Sequence, residues 1–164
     1  MLYKSKYTAN ASAVYVSDRM SGKMSGIPAI STSVLMNPIC QARAKDPDSI
    51  CAHCFAMNTV MRYHSLEQHL EDNTKVLTER VLDESELPRF AYSVGMVRFE
   101  AFGDLNNVIQ AVNYINIAKI NPHVHFALWT KNPRLIDLAI YGGDKKPDNL
   151  KIIYSSPKLN ECNE

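Results

Sequence analysis

The chain of 164 residues contains no run of 18 apolar residues, so the sequence offers no membrane-spanning segment. Its first residues, MLYKSKYTANASAVYV, lack the apolar stretch of a secretory signal, which makes the cytoplasm the default compartment. Glycine (6) and proline (8) are sparse and follow no period, which excludes collagen-like, repeat and low-complexity architectures. The formal net charge is only +1, too small an excess for a protein that coats nucleic acid by neutralising many phosphates. No glycine-rich phosphate loop, no G-x-S-x-G and no H-E-x-x-H occurs, so dinucleotide, kinase, serine-hydrolase and zinc-protease readings have no support. What is present is ordinary globular material, 46% hydrophobic and 21% charged, in an amount that suits one domain over residues 1–164.

The first forty residues are rich in Ser, Met, Ala and Asn, and Gly22, Gly26 and Pro28 punctuate a loop. A short strand is expected within 30–35, then a cysteine-bearing loop over 37–54. One long helix is predicted over about 55–82, from apolar residues such as Val60, Leu66, Leu70, Leu77 and Val81 at helical spacing. Strands are predicted near 96–102, 124–129 and 150–154, with helices near 106–120 and 133–140 between them; Pro133 suits a first helical turn. Helices alternating with strands imply right-handed crossovers and a parallel α/β sheet. The strand runs are apolar on both parities, which predicts cover on both faces. An eight-stranded barrel takes about 250 residues, so the expectation is an open sheet, a partial, barrel-like one, or a piece of something longer.

Cys40, Cys51 and Cys54 form C-x10-C-x2-C within the loop. Two intervening residues let Cys51 and Cys54 converge on one centre, and Cys40 adds a third thiolate. Cys162, His53 or a non-protein group would be the fourth ligand. In a reducing compartment such cysteines are metal ligands, or small apolar residues that pack, sooner than disulfides. Structural zinc needs four closed ligands, whereas three thiolates leave one iron of an iron–sulfur cluster open, so the count leans toward a cluster. Gly103-Asp104 and Thr130-Lys131 end two strands, where α/β sheets bind ligands. The structural alternatives are that Asp104 or Asn106 caps the following helix and that Lys131 is a solvated turn residue. Glu100 is expected to pair with Arg98 on one face, Trp129 to sit in the core, and His64, His69, His123 and His125 to form no metal site.

The order Cys51-Ala52-His53-Cys54-Phe55-Ala56, long helix, Val97-Arg98-Phe99-Glu100-Ala101-Phe102-Gly103-Asp104-Leu105, then His125-Phe126-Ala127-Leu128-Trp129-Thr130-Lys131, resembles the phage and bacterial gene product 88 family over about residues 22–156. Glu100 and Phe102 stand where that pattern has His and Ser. A more distant similarity in layout is to radical S-adenosylmethionine enzymes, although their usual first cysteine gap is three residues and this chain's is ten. That resemblance implies a [4Fe–4S] cluster on Cys40, Cys51 and Cys54, with S-adenosylmethionine on the open iron, steadied by the strand ends at Gly103, Asp104, Thr130 and Lys131. The alternative is a non-catalytic module stapled by zinc, closed by Cys162 or His53, that binds a host or phage macromolecule. Whether the partner is a small molecule or a macromolecule stays open.

Overall fold

A computed structural model describes residues 1–18, 20, 22–143 and 145–158. Cys162, a candidate ligand by sequence, lies outside the described residues. The elements in chain order are β1 (Ala29–Ile30), α1 (Pro38–Ala44), α2 (Phe55–Val60), α3 (His64–Glu79), β2 (Met96–Phe99), α4 (Val108–Ile120), β3 (His125–Thr130), α5 (Pro133–Tyr141) and β4 (Leu150–Tyr154). All four strands run parallel in the order β1-β2-β3-β4. The sheet is open and does not close into a barrel, as the length predicts. Strands β2, β3 and β4 are neighbours in that order, because each consecutive pair is joined through one helix. Among the described residues no helix is long and apolar enough to cross a membrane.

Register fixes which side chains share a face. Val97 aligns with Phe126, Phe99 with Leu128, and Phe126 and Leu128 with Leu150 and Ile152. Five of these six are buried, and they form one core with Tyr114, Ile115 and Ile117 of α4 and Ile136 of α5. Phe99 stacks on Tyr114 at 4.2 Å and on Phe126 at 5.0 Å between ring centroids. The other parity holds Met96, Arg98, His125, Ala127, Trp129, Lys151 and Ile153, none of them buried. The expected cover on both faces is thus absent: helices clothe one face only. Trp129, expected in the core, is 52% exposed. Its parity places it on the bare face, where the Arg98 guanidinium lies 4.7 Å from its ring centroid.

Two local expectations need correction. The segment 37–54 is helical at both ends: Asn37 caps α1 through the Ile39 and Cys40 N–H groups, Pro38 takes the first helical position, and a 3-10 turn spans Ile50–His53. The long helix of residues 55–82 is two helices, α2 and α3, broken at Met61–Tyr63. No Gly or Pro marks that break. Val60 at the end of α2 and Leu70 on α3 pack with Val34 in a second, smaller core, against which Cys40, Cys54 and Phe102 lean.

Candidate functional site

The two strand ends are tied by one carboxylate. Asp104, following β2, accepts the Thr130 hydroxyl at 2.5 Å and the Leu105 N–H at 2.8 Å on one oxygen, and the Lys131 N–H at 3.0 Å on the other. Arg43 of α1 stands 3.6 Å from that second oxygen and donates to the Lys131 carbonyl and the Asn132 side chain. Asp104 is thereby a strap between strand ends and does not cap α4; Asn107 does, accepting from the Gln110 N–H. Nor does Asn106 cap it: its backbone N–H donates to the Gln110 side chain.

Glu100 is the second buried carboxyl. It accepts from Tyr114, Gln110 and both the N–H and hydroxyl of Thr32, not from Arg98. The expected Arg98–Glu100 pair fails because Glu100 has φ 55°, a left-handed conformation that breaks strand alternation and lets the carboxyl meet Tyr114 of α4. Burial is the main cause raising the Glu100 pKa to about 8; hydrogen bonds from Tyr114 and Thr32 oppose it, and Asp104 adds to it. Gly103 is required by this packing. A Cβ there would lie 2.5 Å from a Glu100 carboxyl oxygen and 2.6 Å from the Thr32 carbonyl.

A cleft of about 360 Å³ opens above these groups and is lined by Cys40, Cys51 and Cys54 together with Gly103, Asp104 and Lys131. Thr130 is buried beneath, joined to the cleft through Asp104. The structure therefore brings three predicted cysteines and both predicted strand ends to the carboxyl edge of the sheet, where parallel strands place ligands. The three cysteines are free thiols, each partly exposed. Burial first, then the Asp104 and Glu100 carboxyls, push the Cys40 thiol up to about 12, so it carries its proton at neutral pH. Among the described residues no three His, Cys, Asp or Glu side chains are gathered tightly enough to hold a single ion.

Arg43, Arg98 and Lys131 bring three cationic side chains to this cleft. Arg43 carries no signal in the sequence that would place it here, and Arg98 reads there as the partner of Glu100. His64 faces Glu67, His123 lies against Tyr92, and His69 stacks on Tyr15 at 4.0 Å.

No curated protein and no solved structure matches the chain. The family model of gene product 88 matches residues 4–163, spanning the cysteine segment, both strand ends and the whole described sheet, and the chain belongs to that family.

Proposed function

We propose that the cleft at the carboxyl edge holds an iron–sulfur cluster on Cys40, Cys51 and Cys54, and that its open position takes S-adenosylmethionine in a radical-type reaction. One observation carries the reading: three free cysteines of the segment 40–54 line one cleft with the cationic side chains of Arg43, Arg98 and Lys131. The donor set suits a cluster better than one ion. Structural zinc takes four protein ligands, and three cysteines line this cleft. A [4Fe–4S] cluster carries its ligand positions on separate irons, so three thiolates would fill three of them and leave one open.

Bound there, such a cluster supplies one-electron reduction and an open iron site. The protein's own part follows from its charges and shape. Arg43, Arg98 and Lys131 offset the negative charge of three thiolates. The Asp104 strap fixes the ends of β2 and β3 against each other, so the Lys131 side chain leaves the backbone from a fixed point. Gly103, with no Cβ, lets the Glu100 carboxyl pack directly beneath. Phe55 and Phe102 give one side of the cleft an apolar surface.

Anaerobic reconstitution with iron and sulfide tests the reading. Brown protein with about four irons and four sulfides per chain is expected, lost in the Cys51→Ser and Cys54→Ser variants. Colourless protein that retains one zinc per chain and takes up no iron would replace this reading with the zinc-stapled module.

A further inference from the structure

We propose that the larger cavity beside the cysteine cleft binds a mononucleotide, with its phosphate on Arg98 and its base against the aromatic side chains at the rim. The cavity measures about 800 Å³, within the range of small-molecule sites. It shares Phe55, Arg98, Ala101 and Phe102 with the cysteine cleft, so the two form one continuous hollow on the bare face of the sheet.

The unsatisfied polar atoms point to an anion. Among the described residues, the buried side-chain nitrogens with no hydrogen-bond partner are Arg43 Nη1, His69 Nδ1 and Arg98 Nε. All three residues line this joined hollow; Arg43 Nη1 already faces the Asp104 carboxylate at 3.6 Å, which leaves Arg98 as the cation with no ion pair among the described residues. Leaving a buried donor unpaired is costly, and native structures keep such groups rarely. Arg98 is the most exposed to that cost. Among the described residues its guanidinium hydrogen-bonds only the Met24 sulfur, at 3.9 Å, and lies over the Trp129 ring. No carboxylate stands within ion-pair distance of it among the described residues. Lys4 and Asp18 also line the cavity and offset each other's charge. An arginine is always charged, and phosphate matches its forked donors.

The rim points to a flat ring. Phe55 is 68% exposed and Tyr63 60% exposed, both on the larger cavity, and Phe102 packs 6.4 Å from Phe55 between centroids. Large aromatic surfaces left in water beside a cation suit stacking with a base. That this site holds the substrate of the radical-type reaction rests on the proposed function; the binding itself does not.

Trp129, the only tryptophan, lies under Arg98 and reports occupancy by its fluorescence. The full chain is titrated with adenosine 5′-monophosphate, uridine 5′-monophosphate and adenosine. Saturable binding of at least one monophosphate is expected, with adenosine about tenfold weaker or worse. Arg98→Gln should weaken the monophosphate by a similar factor. Phe55→Ala, at an exposed site that leaves folding intact, should weaken it several-fold while inorganic phosphate still competes. The same binding in a Cys51→Ser/Cys54→Ser double variant separates this site from the cluster. No saturable binding of either monophosphate, adenosine as tight as its phosphate, or unchanged binding in both Arg98→Gln and Phe55→Ala would overturn the proposal.

Discussion

On one face of the sheet, Val97, Phe99, Phe126 and Leu128 lie under α4 and α5, sealed from water. On the other, the alternate residues of the same strands, Arg98 and Trp129, floor a hollow lined by cysteines, arginines and exposed aromatic rings. The first face repays burial with hydrophobic and stacking energy. The second keeps unpaired donors and solvent-facing apolar surface, which contribute nothing to folding. A parallel sheet is ordinarily covered on both faces, and here the uncovered one carries the cysteine cleft.

Substitutions should split along that division. Phe99→Ala deletes a fully buried ring stacked on two others and should cost about 3–5 kcal/mol by denaturant unfolding. Asp104→Asn acts at the junction of the two faces. The amide would turn a donor toward either the Thr130 hydroxyl and Leu105 N–H or the Lys131 N–H, so a buried donor loses its acceptor. A loss of about 2 kcal/mol is expected, with the spacing of the β2 and β3 ends disturbed. A cost near zero would show that the strap is not what holds the strand ends together.

Glu100 gives the comparison a pH signature. Its folded pKa, raised to about 8 from an ordinary 4.5, means that the folded state holds the proton where the unfolded state releases it. Its contribution is full below the ordinary carboxyl range, falls as pH rises, and is gone once pH passes the folded value. Unfolding free energy should therefore decline by up to about 1.4 kcal/mol per pH unit in that window. Glu100→Gln should remove this slope, which unfolding curves at several pH values would reveal. The smallest effect is expected at Trp129→Ala. The ring is half exposed and loses mainly its contact with Arg98, so under about 1 kcal/mol is expected. A cost equal to that of Phe99→Ala would erase the distinction between the faces.

The sequence made some of this legible and concealed the rest for identifiable reasons. Alternating helical and apolar runs announce the parallel order of β2, β3 and β4, and cysteine spacing together with strand-end motifs point to one edge. The bare face was hidden because strand composition does not say what packs on it: Trp129 reads as core in FALW yet stands in solvent. The Glu100–Tyr114 contact was hidden because it depends on a single left-handed residue that reverses a strand's parity. The break between α2 and α3 falls where no Gly or Pro stands. Arg43 joins the site only through the tertiary approach of α1 to the end of β3.

The central claim is that three thiolates of this cleft leave one cluster position open to a small molecule. Electron paramagnetic resonance of the anaerobically reconstituted, reduced protein, before and after S-adenosylmethionine is added, tests it most directly. The account predicts a [4Fe–4S] signal whose shape changes on addition. A cluster signal that S-adenosylmethionine leaves unaltered would contradict it.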